Sequence, residues 1–192
     1  MENSILYTFS TIAQALGGAF ALLSAFVLFR FQSLDASMLN SSVALRSIWK
    51  TPADLDSYDT LRGLSVWPSL NKAIDAQIGR MTAANEKPTF EVMAAKARLR
   101  AGESKQSYLT WTFWSAVSLT FLVMAGSVSV IPYAHAIAEA DSLAFIHMLN
   151  LSGVAAFVLC MLSYVVVIHA ALTSRYGRHI IQPRIEALIK GS

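Results

Sequence analysis

Two sets of side chains in this 192-residue sequence could do chemistry, and both lie in otherwise apolar stretches. His147 and Asn150 are three residues apart, so on a helix they share a face. With Ser152 and His169 they are the polar groups of the run 143–172 that best suit a role beyond packing. An imidazole beside an amide can relay a proton, bind an ion, serve a membrane enzyme, or simply tie one helix to another. A relay at membrane depth calls for an acidic partner, and this run contains no Asp or Glu. Joining helices, through hydrogen bonds that average about 0.6 kcal/mol in a bilayer, is therefore the expected role.

The second set is Thr11, Gln14, Gly18, Ala21 and Ala25, which recur at spacings of three and four, overlapped by a ladder of Ala13, Gly17 and Ala21. Bulky Phe20, Leu23, Phe26 and Val27 lie off this stripe. Small residues let two helix backbones approach closely, which is a main route to association in lipid. Two readings follow. The stripe packs against another helix, or its Thr and Gln line a water-filled axis.

Other chemistries find little support. His135, Glu139, Asp141 and His147 offer imidazole and carboxylate groups of the kind zinc accepts, but their spacing matches no metal motif, and an ordinary acidic loop is expected. The sequence holds no glycine-rich phosphate loop, no HExxH, no GxSxG and no paired Cys motif. Cys160 is the single cysteine and cannot form an intrachain disulfide. No catalytic residue, metal or cofactor is expected. The net charge of +3 raises the question of nucleic acid, but the positions of the cations follow topology instead, and no nucleic-acid partner is expected.

The elements that carry these residues are set by the absence of charge. The arms 109–131 and 143–172 contain no Lys, Arg, Asp or Glu, and both exceed the roughly 20 residues that a helix needs to cross a hydrocarbon core. A third apolar run, 5–29, is followed at once by Arg30. Its positive flank is on the wrong side for a secretory signal, so an uncleaved anchor is expected. Overall the chain is 55% hydrophobic and 14% charged, against about 25% charged in soluble domains. Residues 32–107 hold ten of the fifteen Lys and Arg, and the tail adds Arg175, Arg178, Arg184 and Lys190. Both segments are placed in the cytoplasm by the positive-inside rule, and the N-terminus outside. Tyr108, Trp111 and Trp114 then fall where an aromatic belt belongs.

The predicted fold is an all-α integral membrane protein of a plasma or bacterial inner membrane. It comprises transmembrane helix 1 (1–31), a cytoplasmic helical stalk or bundle (32–107), a transmembrane hairpin (108–172) and a basic cytoplasmic tail (173–192). No Pro or Gly occurs between Gly18 and Pro52, so the first helix is expected to run to about Lys50, with Leu34, Met38, Leu45 and Trp49 on one face. Thr51-Pro52-Ala53-Asp54 reads as a helix start and Gly63 as its end. Trp67-Pro68 opens another helix, with Leu70, Ile74, Ile78 and Met81 along one side, and 82–88 form a loop. From Phe90 a long helix is expected to pack Phe90, Met93 and Ala97 on the first, with Lys96, Arg98 and Lys105 in solvent. Pro132 ends it, 133–142 form an outer loop, Asp141 and Ser142 cap the third helix, and an amphipathic helix follows in the tail.

Three helices bury little alone, and Gly126, Ser127 and Ser129 add a second small face, so a homo-oligomer in the lipid bilayer is expected. The assembly is expected to conduct ions or otherwise perturb the membrane, gated through the cytoplasmic helices. The alternative is an anchor or sensor subunit that presents those helices to a cytoplasmic protein partner. A secondary transporter is disfavoured, because there is neither an internal repeat nor an interrupted helix. The topology has a direct check. With Cys160 replaced by Ala, a cysteine at Ser57 should resist an impermeant thiol reagent outside intact cells and react once the membrane is permeabilised; labelling of intact cells would reverse the orientation.

Overall fold

The computed structural model describes residues 2–139 and 143–173, and among them there are helices and no strands. The helices are α1 (Glu2–Val43), α2 (Pro52–Gly63), α3 (Trp67–Ala83), α4 (Phe90–Val130), α5 (Ala134–Glu139) and α6 (Leu143–Leu172), with 3-10 turns at Ala44–Ile48 and Ile131–Tyr133. The expected caps Asp141 and Ser142 and the amphipathic helix of the tail fall outside the described residues. Among the described residues, three helical stretches are long and apolar enough to cross a membrane: Asn3–Ile48, Phe90–Ile137 and Leu143–Leu172. This is compatible with a multi-pass membrane protein. The chain divides into two compact units, the first built from Met1–Phe29 and Leu109–Leu172, the second around Arg30–Tyr108.

In the first unit α1 buries Ile5, Phe9, Ile12, Leu16, Leu23 and Val27, spaced so that they form one stripe. Ile12 and Leu16 share a cluster with Val123 of α4 and Cys160 of α6. Ile5 and Phe9 share another with Ala134 and Ile146. Gly153 gives α6 its close approach to α1, since a Cβ there would lie 2.9 Å from Phe9 Cε1. Phe20 stacks on Phe113 at 6.4 Å and meets Phe121 edge-on at 6.1 Å. The segment after α4 differs from the expected loop: Pro132 sits in a 3-10 turn, and Ala134–Glu139 are helical. Proline is favoured in a first helical turn, where its missing N–H is not needed, and Ala134, 1% exposed, anchors the new helix against Ile5, Phe9 and Ile146.

The second unit packs α2 and α3 onto the parts of α1 and α4 that belong to it. Its core is Met38, Leu45, Ile48, Trp49, Tyr58, Trp67, Leu70, Ile74, Val92, Ala95 and Leu99. The helical path from α1 reaches Ile48, with its last turn tightened to 3-10. As predicted, α2 begins at Pro52, and α3 begins at Trp67 and buries Leu70 and Ile74. Thr51 is the N-cap residue of α2, but its hydroxyl, which donates to Asp54 Oδ2 at 2.5 Å, accepts no hydrogen bond from a backbone N–H of the helix. Beyond Gly63 the chain turns through Ser65, at φ 52°, and beyond α3 through Asn85, at φ 59°. In both turns the next N–H returns to a carbonyl five residues back, Val66 to Leu61 and Glu86 to Met81, the bond pattern of a Schellman motif.

Side chains bind two backbone carbonyls where the helical path from α1 ends. The Tyr58 hydroxyl donates to Ser42 O, and Gln77 Nε2 donates to Ile48 O at 3.1 Å. Burial pushes the Tyr58 phenol above its ordinary range, so it stays an O–H donor. Trp67 Nε1 donates to Asp35 Oδ1 at 2.8 Å, and the Ser65 hydroxyl reaches the other oxygen at 3.2 Å. Trp49 lies on Tyr58 with ring centroids 4.6 Å apart.

Two expectations for α4 are corrected. Its inward face is Val92, Ala95 and Leu99, while Phe90 is 65% exposed and Met93 and Ala97 are only partly buried. The register follows from Gly102, one turn further along the same stripe, where a Cβ would sit 2.6 Å from Met38 Cγ: α1 and α4 touch there, which turns the 92, 95, 99 side inward. Lys96 does not point to solvent. Its Nζ lies 2.5 Å from Asp75 Oδ1, and Arg100 binds the other oxygen. Lys105 is also partly buried, whereas Arg98 is exposed as expected.

The glycines give paired outcomes of opposite sign. In α3, Gly79 has open space around it, so Gly79→Ala should stabilise by about 0.5–1 kcal/mol through helix propensity. Gly102→Ala should instead destabilise, by about 1–3 kcal/mol, because Met38 must move aside, and adding Met38→Ala should recover part of the loss. Thermal unfolding of the detergent-solubilised chain reads all three. A second outcome concerns acid. Burial opposes ionisation of Asp75, but the hydrogen bond and charge of Lys96 and the charge of Arg100 outweigh it and hold the carboxyl below its ordinary value. Its contribution is full above the unfolded pKa of about 4 and is lost as pH falls through the lower folded value. Acidifying from about pH 5 to about pH 3 should lower the melting temperature more in the wild type than in Asp75→Asn.

Candidate functional site

All five residues of the α1 stripe, Thr11, Gln14, Gly18, Ala21 and Ala25, are exposed. At 3.6 residues per turn they lie about half a turn from the buried Ile5, Phe9, Ile12, Leu16, Leu23 and Val27. The bulky Leu23 and Val27 are thus the residues that α1 packs within its own chain, and the small stripe faces outward. A Cβ at Gly18 would meet nothing within 4 Å. Gln14 Nε2 donates to Ser10 Oγ at 3.4 Å, one turn back on the same helix. That bond uses one of the amide's two N–H groups, and the rest of the amide and Thr11 face outward. On α4, Gly126 and Ser129 are exposed, and Ser127 is 3% exposed.

His147 and Asn150 share a face of α6, but no hydrogen bond joins them among the described residues. His147 is exposed, and Asn150 is partly buried with its Oδ1 out of solvent and without a hydrogen-bond donor. The structure therefore places the two side by side without linking them. The exposed side chains His135 and Glu139 of α5 meet, Nε2 to Oε1, at 3.2 Å. Asp141 lies outside the described residues, and no group of three His, Cys, Asp or Glu among the described residues could hold a metal.

One buried polar contact of the first unit was not apparent from the sequence. The Thr120 hydroxyl donates to Ala116 O at 2.7 Å and lies 2.8 Å from the Tyr164 hydroxyl. Since Thr has one proton to give, Tyr164 is the donor between them. Both residues are buried, and Cys160, one turn from Tyr164, packs fully buried beside the same hydroxyl. The available signal was the four-residue spacing within each arm, Ala116 with Thr120 and Cys160 with Tyr164, which puts each pair on one face. Both hydroxyls in this chain of bonds have their donor used, and the chain joins α4 to α6.

The outward faces of the first unit differ in kind. On α6 it is bulky and aliphatic, including Met148, Leu151, Val158, Leu162 and Val165. Trp111 and Trp114 are exposed on α4, and Tyr7 and Tyr133 are exposed near the start of α1 and just beyond the end of α4. In the second unit a groove of about 720 Å³ runs between α1 and α4, lined by Ser33, Ser37, Asn40, Phe90, Ala94 and Arg98 among others.

Comparison with known protein families, with curated proteins and with solved structures finds no match to any of them.

The Thr120–Tyr164 contact yields an asymmetric expectation. Tyr164→Phe should cost about 0.6 kcal/mol, because Thr120 keeps its bond to Ala116 O. Thr120→Val strands a buried Tyr hydroxyl and should cost about 1–3 kcal/mol. In a double-mutant cycle read by unfolding in detergent, the pair should be clearly non-additive, whereas additive losses would mean that the two hydroxyls do not interact.

Proposed function

We propose that this chain is an integral membrane protein of a plasma or bacterial inner membrane, with its N-terminus outside and its second unit in the cytoplasm. It assembles with copies of itself, through the outward α1 stripe, into a channel-like structure gated by the cytoplasmic helices. The carrying observation is the contrast between the exposed faces of the first unit. Bulky aliphatic side chains on α6 match lipid tails, whereas Thr11, Gln14, Gly18, Ala21 and Ala25 offer tails little to pack on. A Gln amide in hydrocarbon without good partners costs about 2 kcal/mol or more, and a second helix removes that cost while gaining close backbone contact. The aromatic positions support the bilayer: nineteen residues separate Trp114 and Tyr133, about 29 Å along a helix, close to a hydrocarbon core about 30 Å thick.

A second reading has its own observation. The second unit has a full apolar core and pinned helix ends, with Phe90 exposed at the edge of a groove. Such a module suits an anchor or sensor subunit that presents cytoplasmic helices to a protein partner.

Purified protein in liposomes separates the two. The channel-like reading expects wild-type oligomers to dissipate an ion gradient. Gly18→Leu should disrupt assembly, because a bulky side chain blocks the close approach. Gln14→Leu should leave the oligomer intact but abolish flux, since a ring of Leu can close an aqueous axis by dewetting. Equal flux from wild-type and Gln14→Leu oligomers of the same size would rule out this stripe as the pore lining. A wild-type assembly without flux would favour the anchor.

A further inference from the structure

We draw no further inference here: the strongest candidate, the groove of the second unit between α1 and α4, lined by Ser37, Asn40, Ala44, Phe90, Ala94 and Arg98, is an unpartnered face between two helices, and nothing in the structure shows what covers it.

Discussion

A straight helix that commits one stripe to its own core must turn the opposite stripe outward, and α1 is governed by this constraint. In the first unit its inward stripe is made of Ile, Phe, Leu and Val. These fill the space between helices and fix the rotation of α1 about its axis. Once Phe9 is seated against Gly153, and Ile12 and Leu16 against Val123 and Cys160, the rotational setting of Thr11, Gln14, Gly18, Ala21 and Ala25 is no longer free. Large side chains hold the chain to itself, and the small ones remain available to another helix.

Each unit holds its helices together through contacts of its own. In the second unit, polar side chains bind backbone carbonyls and one another: Tyr58 on Ser42, Gln77 on Ile48, Trp67 and Ser65 on Asp35, Lys96 and Arg100 on Asp75. Water competes for such bonds, so each adds only about 0.5–1.5 kcal/mol net, and the apolar core beneath them supplies most of the stability. In the first unit the Thr120–Tyr164 contact between α4 and α6 is buried. The helices there also pack closely at Gly153 and through the Phe20, Phe113 and Phe121 contacts.

Much of the fold was legible because local signals agreed. The Thr51-Pro52 and Trp67-Pro68 starts, and the Leu70 and Ile74 face of α3, needed only proline geometry and helical period. The face of α4 was not, because two stripes, Phe90–Met93–Ala97 and Val92–Ala95–Leu99, fit a helical period equally well. The tie is broken by the contact of Gly102 with Met38, a fact about another helix. Lys96 was misplaced for the same kind of reason: its anion, Asp75, is 21 residues away and on α3. The α1 stripe was visible as a pattern, but which way it faced was not. That depended on whether Leu23 and Val27 met lipid or their own chain, and period alone is indifferent to the choice. Thr120 and Tyr164 were each visible as polar residues in apolar arms, yet their pairing depends on the offset between two antiparallel helices.

The outward setting of the stripe also bears on how the two functional readings are weighed. An anchor needs only that its helices stay in the bilayer, which long aliphatic faces such as that of α6 accomplish without help. For that task a polar amide and a run of small residues on the outside of α1 are a net cost, since each Leu-to-Ala or Leu-to-Gln exchange gives up apolar surface at about 25 cal/mol per Å². A homo-oligomer puts the same residues to use, because small side chains lower the distance of approach and the amide gains a donor or acceptor from the next copy. The stripe therefore separates the readings better than the second unit does, whose folded helices suit either a gate or a docking module. On the proposed assembly, the rotation imposed by Ile5, Phe9, Ile12, Leu16, Leu23 and Val27 is what points Gln14 toward the neighbouring copy, so packing inside one chain determines what the assembled axis can carry.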